Sequence, residues 1–135
     1  MATLIFVDTS YWIAAAIEVD RHHQAASVLA RAHAASSLAT SNLVRGEVWT
    51  FVRRRFGHRT AVQVTDRIAD SQRLRIVRVE REVERTAWEW LRARDEREYS
   101  FVDATSFALM RKLRIREALA FDGDFAAAGF TELRA

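Results

Sequence analysis

Four acidic residues stand at positions where an ordinary solvent-exposed carboxylate is not expected. They are Asp8, Glu47, Asp103 and Asp122. Two of them directly follow short apolar runs, and the other two share helical spacing with apolar residues. Carboxylates that are far apart in the chain but gathered in one cleft repel each other unless a divalent cation binds between them. A hard cation held by carboxylates indicates phosphate chemistry.

Glu47 belongs to a predicted helix over 42–56 whose apolar stripe includes Leu43, Val44 and Phe51. It lies four residues after Leu43 and four before Phe51, so helical spacing places it on that stripe. A buried carboxylate without a partner is costly or becomes protonated. The alternative role is an internal ion pair, because arginines are abundant in this chain.

Asp103 lies three residues after Ser100, and this spacing resembles a capping box with aspartate in place of glutamate. Asp103 also shares one helical stripe with Phe107 and Met110, so it faces inward. Capping and metal binding are compatible, because a helix N-terminus favours anionic chemistry.

The remaining two acids follow predicted strands. Strands are predicted at 3–8, 38–41, 74–79, 117–121 and 130–133, and helices at 10–17, 21–35, 42–56, 59–72, 81–96 and 101–113. This alternation predicts an α/β sandwich with a largely parallel sheet. Functional groups gather at the carboxyl ends of such strands, where Asp8 and Asp122 fall. Alternatively, Asp8 caps the next helix and Asp122 is a turn residue before Gly123.

Composition narrows the class of protein. The 135 residues suit a single domain spanning 1–135. No apolar run is long enough for a membrane helix, and the start lacks the basic region of a signal peptide. The absence of cysteine excludes disulfides, zinc-thiolate sites and cysteine nucleophiles. A cytoplasmic location without a membrane partner is expected.

The cationic residues are nearly all arginine, and the formal net charge is +3. This charge fits a nucleic-acid partner, although a genome-wide preference for arginine codons gives the same composition. The run Arg53–Arg55 ends the Glu47 helix, where cations are favourable in solvent and can also contact RNA. The pair His22–His23 does not predict a metal site, because adjacent helical side chains point about 100° apart.

Four short motifs together resemble PIN-domain ribonucleases, specifically the VapC-type toxins of bacterial toxin–antitoxin pairs. They are Phe6–Ser10, Thr40–Leu43 followed by Glu47, Ser100–Ala104 and Ala120–Phe125. The resemblance covers essentially the whole chain. Each motif is short, and it is their order and spacing that is specific. The resemblance implies a PIN-like three-layer sandwich, in which helices flank a central, mostly parallel sheet of four to five short strands.

The same resemblance implies the site and the activity. Asp8, Glu47, Asp103 and Asp122 match the family's catalytic acids, which bind Mg²⁺ or Mn²⁺, and Asp124 falls where a further acid supports the metal. The hydroxyl beside the first aspartate matches Thr9 or Ser10. The implied activity is metal-dependent cleavage of RNA that leaves a 5′-phosphate and a 3′-hydroxyl. The implied partners are RNA, a cognate VapB-type antitoxin and a second copy in a homodimer.

One departure from the family pattern concerns Ala120, where members often have a serine or threonine two residues before the last acid. Two other classes of function stay open. One is a catalytically inactive PIN-like RNA-binding or interaction module. The other is a phosphoryl-accepting α/β domain, but a phosphatase of the haloacid dehalogenase type would need an aspartate where Ser10 stands, and a receiver domain would need a lysine near the final strand.

Overall fold

The structure, a computed structural model, describes residues 3–135. Met1 and Ala2, the first residues of the segment considered above as a leader, lie outside the described residues. The elements are, in chain order, β1 (Leu4–Val7), α1 (Thr9–Ala16), α2 (His23–Ala32), β2 (Ser37–Ser41), α3 (Asn42–Phe56), α4 (His58–Asp70), β3 (Leu74–Val77), α5 (Arg81–Arg92), α6 (Phe101–Leu113), β4 (Glu117–Leu119), α7 (Asp124–Ala127) and β5 (Thr131–Glu132).

The five strands form one sheet in the order β3-β2-β1-β4-β5, and every pairing is parallel. Strand β1 lies in the middle, with Ile5 aligned to Leu38 of β2 and to Glu117 of β4. All carboxyl ends therefore lie at one edge of the sheet. The predicted α/β fold with a mostly parallel sheet is confirmed.

Two apolar cores lie on opposite faces of this sheet. Phe6, Ala39 and Ala118 pack in the core shared with helices α3, α5 and α6. Their strand neighbours Ile5 and Leu38 pack in the second core, with residues of α1 and α2. Successive strand side chains point to opposite faces, so the alternation explains why helices cover both sides. This is the three-layer arrangement that was expected.

The region around β4 differs from the sequence prediction. Strand β4 ends at Leu119 rather than at Phe121, and an unpredicted short helix, α7, begins at Asp124. The carboxylate of Glu132 accepts hydrogen bonds from the backbone N–H groups of Phe125 and Ala126, each at 3.1 Å. The free N–H groups of a helix start need such acceptors. Because the acceptor comes from β5, local sequence could not reveal the helix.

Two local features orient the helices that face the carboxyl edge. The Ser41 hydroxyl accepts a hydrogen bond from the backbone N–H of Val44 at 3.0 Å and caps α3. Gly57 adopts φ 91° between α3 and α4, a conformation that other residues rarely take. Among residues 3–135, no helix is both long enough and apolar enough to cross a membrane.

Candidate active site

A cleft of about 650 Å³ opens at the carboxyl edge of the sheet. All four acids singled out by their sequence positions line it, namely Asp8, Glu47, Asp103 and Asp122. They come from the end of β1, from α3, from the start of α6 and from the segment after β4. The fold thus gathers carboxylates that are distant in the chain.

Asp8 is 2% exposed and is held from two directions. Its backbone N–H donates to the carbonyl of Leu119 at 3.0 Å. Its carboxylate accepts hydrogen bonds from the Ser10 hydroxyl at 2.7 Å and the Ser10 backbone N–H at 3.2 Å. Asp8 therefore also caps α1, so the capping role and the cleft position coexist.

Ser10 connects the Asp8 carboxylate to the β4 side of the site. Its hydroxyl accepts a hydrogen bond from the backbone N–H of Phe121 at 3.0 Å while donating to Asp8. Of the two hydroxyls considered, Ser10 is thus the one that contacts the acid. The Thr9 hydroxyl is buried and forms no hydrogen bond within the described chain. The missing hydroxyl at Ala120 leaves this connection intact, because Ser10 bonds the adjacent backbone.

Asp103, like Asp8, both caps a helix and lines the cleft. Its backbone N–H donates to the Ser100 hydroxyl, and its carboxylate accepts from the Ser100 N–H, both at 3.0 Å. The capping box read from the sequence is therefore present. Asp103 is 8% exposed, and Phe107 and Met110 on the same stripe are fully buried. Its carboxylate is consequently fixed in position at the cleft.

Asp103, Asp122 and Asp124 form a set of acids in which one carboxylate oxygen of each residue lies within 4.8 Å of those of the other two. Asp8 and Glu47 line the same cleft outside this set. Asp122 is exposed and Asp124 partly buried. Arg97 forms an ion pair with Asp124 and donates to the Asp122 carbonyl at 3.1 Å. Sequence reasoning missed Arg97, because a separation of 27 residues from Asp124 leaves no local signal.

Glu47 lies differently from the expectation. It is only partly buried, whereas Val44, Val48 and Val52 form the fully buried stripe of α3. The prediction of a buried position is therefore wrong, and Glu47 lies at the margin of the stripe, facing the cleft. Within residues 3–135, no cationic group lies at ion-pair distance from Glu47, so the internal ion pair considered as its alternative role is not formed.

Burial raises the carboxylate pKa values in this cleft. The pKa of Asp8 rises to about 8, chiefly through burial and then through the charge of Asp122, while the Ser10 hydrogen bond opposes the rise. Burial likewise raises the pKa of Asp103 to about 6. Loss of solvent around the Asp122 carboxylate raises its pKa as well. In the metal-free protein, burial and mutual repulsion thus disfavour the charged forms of these carboxylates.

These donors fit a hard divalent cation. Mg²⁺ prefers oxygen ligands and is commonly held by one or two carboxylates together with water and phosphate oxygens. The site offers carboxylate oxygens from Asp103, Asp122 and Asp124 at mutual distances that suit one cation, and the raised pKa values of Asp8 and Asp103 show the electrostatic cost that a cation would relieve. Softer metals are not favoured, since no sulfur or imidazole belongs to this set.

A basic wall at the end of α3 also lines the cleft. Arg54 and Arg55 of α3 line it together with Thr50 and Phe51. The guanidinium of Arg55 lies 4.7 Å from the centre of the Phe51 ring. Both arginines are exposed, so they remain free to contact a phosphate backbone. Arg53, the third member of the run, does not line the cleft.

Comparison with known proteins agrees with this geometry. The PIN-domain family model matches residues 5–131. The 23S rRNA-specific endonuclease VapC20 of Mycobacterium tuberculosis is 53% identical over 131 residues, covering 97% of this chain and 98% of the relative, in each of two strains. The crystal structure of M. tuberculosis VapC20, described as a sarcin–ricin loop cleaving toxin, has a TM-score of 0.90 at 50% identity and covers 97% of this chain and 99% of that one. A toxin–antitoxin complex from Klebsiella pneumoniae shares the fold alone, with a TM-score of 0.61 at 16% identity over 90% of each chain.

Proposed function

The chain belongs to the PIN-domain family and, within it, to the VapC type, and we propose that it is a metal-dependent endoribonuclease toxin. The observation that carries this proposal is the convergence of Asp8, Glu47, Asp103 and Asp122 on one cleft. Two of these carboxylates are almost fully buried there with raised pKa values. A fold that only binds RNA gains nothing from such mutually repelling buried acids.

The cation would be held by Asp8, Glu47, Asp103, Asp122 and Asp124, and Mg²⁺ or Mn²⁺ suits their oxygens. When bound, such an ion polarises a phosphodiester and makes water a better nucleophile at neutral pH. The protein's part is to hold these acids in position before the substrate arrives. Ser10 and Ser100 do so for Asp8 and Asp103 through hydrogen bonds of 2.7 and 3.0 Å.

RNA is the proposed substrate, and the two walls of the cleft have different tasks with it. The acid wall acts at the scissile phosphate, and cleavage leaves a 5′-phosphate and a 3′-hydroxyl. Arg54 and Arg55 of the basic wall contact neighbouring phosphates, whose charge they complement. Among RNAs, ribosomal RNA is the proposed target class, because the relative that is 53% identical is named a 23S rRNA-specific endonuclease.

A cognate VapB-type antitoxin is the proposed protein partner, and the active form is proposed to be a homodimer. The exposed apolar side chains of Val19 and Val28 support a contact of this kind, with exposures of 82% and 41%. Val19 lies in the segment between α1 and α2, directly before the cleft residue Asp20, and Val28 lies within α2. An amphipathic antitoxin segment that packs there would cover apolar surface and block access to the acids.

The ribonuclease proposal is tested with Asp8→Asn and Asp103→Asn. Each change preserves shape and removes one carboxylate that would hold the cation, so cleavage of an RNA hairpin that carries the 23S rRNA sarcin–ricin loop should fall by about 10³-fold or more. Cleavage is measured on end-labelled hairpin in Mg²⁺ or Mn²⁺, and circular dichroism checks that the fold survives.

Asp70→Asn is the matched control, because Asp70 is an exposed acid of α4 outside the cleft. It should cleave like the wild type. Full activity in either cleft variant, or chelator-resistant cleavage by the wild type, would overturn the proposal. RNA binding without cleavage by the wild type would favour the catalytically inactive RNA-binding module.

A further inference from the structure

A stack of three rings ends in His22, which lines the acid cleft at the start of α2. The His22 ring lies parallel to the Phe121 ring, with centroids 4.6 Å apart and an interplanar angle of 6°. Phe121 in turn stacks on Tyr11, with centroids 6.2 Å apart and an angle of 20°. None of these rings has a part in the metal-dependent chemistry proposed above.

The stack is held from both ends. Tyr11 is 5% exposed in the core, and the backbone of Phe121 is tied to Ser10. The backbone N–H of His22 donates to the Asp20 carboxylate at 2.9 Å, and its Nε2 accepts from the Arg21 guanidinium at 3.1 Å. A ring fixed in this way loses little conformational entropy when a ligand stacks on it.

The side chain of His22 does not cap the helix that follows it. His22 is the N-cap residue of α2, yet its side chain makes no capping hydrogen bond. It is turned toward Phe121 instead and is only partly buried. Its neighbour His23 has an ordinary structural role, because its Nδ1 lies 2.7 Å from the carbonyl oxygen of Ala14. The two histidines, equivalent in the sequence, thus have different surroundings.

The His22–Phe121 pair forms a ridge between two depressions. Both residues lie beside Asp122, and His22 lines the acid cleft. Both also line a second depression of about 400 Å³, which Arg134 lines as well. A polynucleotide that leaves the acid cleft on this side must cross the ridge, with Arg21 and Arg134 exposed nearby.

We propose that His22 stacks on a nucleobase adjacent to the scissile phosphate and so positions the RNA in the acid cleft. This inference rests on the ribonuclease function proposed above. Single-stranded RNA is recognised largely by stacking of splayed bases on aromatic and histidine rings. The ridge presents such a ring beside the acids, and Arg21 and Arg134 supply charge for the flanking phosphates. His22 is accordingly a positioning residue, because it contacts a base of the substrate and not the reacting atoms.

The kinetic test compares His22→Ala with His22→Phe on the same RNA hairpin. Loss of one base–aromatic stack should raise KM by about 5- to 150-fold, which corresponds to about 1–3 kcal/mol, while kcat stays close to the wild-type value. The phenylalanine variant keeps a ring on Phe121 and should restore most of the affinity. His33→Ala, at the opposite end of α2, is the matched control and should leave KM unchanged.

A second test measures the stacking of a base on His22 under conditions in which RNA is not cleaved. In the Asp103→Asn background, hairpins with 2-aminopurine at single loop positions should show fluorescence quenching on binding at one position. That quenching should disappear with His22→Ala and persist with His22→Phe. If the wild type fails to cleave RNA at all, the ribonuclease function fails, while the quenching experiment still decides whether His22 contacts a base.

Three outcomes would overturn the proposal. One is an unchanged KM and unchanged quenching in folded His22→Ala. Another is a phenylalanine variant as defective as the alanine variant, which would assign the effect to the imidazole nitrogens. The third is a changed oligomeric mass for His22→Ala at unchanged KM, which would place the ridge at a protein interface.

Discussion

The two sides of the acid cleft differ in how firmly their charges are held. On one side, here called the fixed side, Asp8, Ser10 and Asp103 are held by side-chain hydrogen bonds of 2.7–3.0 Å. On the other, the open side, Glu47, Arg54 and Arg55 extend from α3. Glu47 is partly buried and both arginines are exposed.

The difference in burial and hydrogen bonding suits the charges of the two sides to different electrostatic tasks. A carboxylate that is desolvated and held in place interacts strongly with a cation, because nearby water does not screen it. An exposed arginine interacts weakly at any one point but can follow a flexible polyanion. The fixed side thus suits chemistry at one phosphate, and the open side suits contact with the rest of the strand.

The rise in Tm on metal binding is expected to differ most between variants of the fixed side and variants of the open side. Mg²⁺ or Mn²⁺ at 100 times its dissociation constant should stabilise the wild type by about 2.7 kcal/mol, seen as a rise in Tm. Asp8→Asn should lose most of this rise, and Glu47→Gln should keep most of it. Chelator should abolish both the rise and RNA cleavage. If both variants lose the Tm rise equally, the two sides do not differ in metal binding.

Ser10→Ala should have the next largest effect. The Ser10 hydroxyl orients Asp8, and loss of an outer partner of a ligand commonly costs about 10- to 100-fold in activity or metal affinity. Thr9→Val is the matched control, because the buried Thr9 hydroxyl has no hydrogen-bond partner within the described chain. Steady-state cleavage rates and metal titrations measure both variants. A larger loss for Thr9→Val than for Ser10→Ala would contradict the assignment.

The stability of the metal-free protein should fall as pH rises. The folded-state pKa of Asp8 is raised from 3.8 to about 8, so between these values the folded state holds a proton that the unfolded state releases. The contribution of Asp8 to stability is then fully present below about pH 4 and is lost toward pH 8, with a slope of about 1.4 kcal/mol per pH unit at most. Denaturant unfolding in chelator measures it, and Asp8→Asn should flatten the slope. An unchanged slope in that variant would show that Asp8 titrates normally.

The arginines of the open side should give the smallest effect. Each phosphate contact contributes about 0.7 to the slope of log affinity against log salt for a single strand. Arg54→Ala and Arg55→Ala should each lower that slope by this amount, as measured by RNA binding in the Asp103→Asn background. Arg53→Ala is the matched control, because Arg53 lies outside the cleft. If it lowers the slope equally, the contact is diffuse and not specific to the cleft.

Much of this fold could be predicted from local patterns. The capping box at Ser100 and Asp103 was visible in four residues, because both of its hydrogen bonds connect neighbours. Strand β1 is a short apolar run, as is typical of a buried parallel sheet. By contrast, helix α7 was missed, since its stabilising acceptor Glu132 comes from the next strand. The degree of burial of Glu47 was also misjudged, because the apolar stripe of α3 does not show where the cleft opens.

The sequence by itself determined the order of the elements other than α7 and the parallel sheet, and it singled out the four acids, because apolar periodicity and capping act over a few residues. Only the tertiary structure decided how these parts meet. It brought Asp103, Asp122 and Asp124 within 4.8 Å of one another, paired Arg97 with Asp124 and turned His22 onto Phe121. Such contacts depend on how strands and helices from distant parts of the chain pack together, and no spacing along the chain encodes that distance.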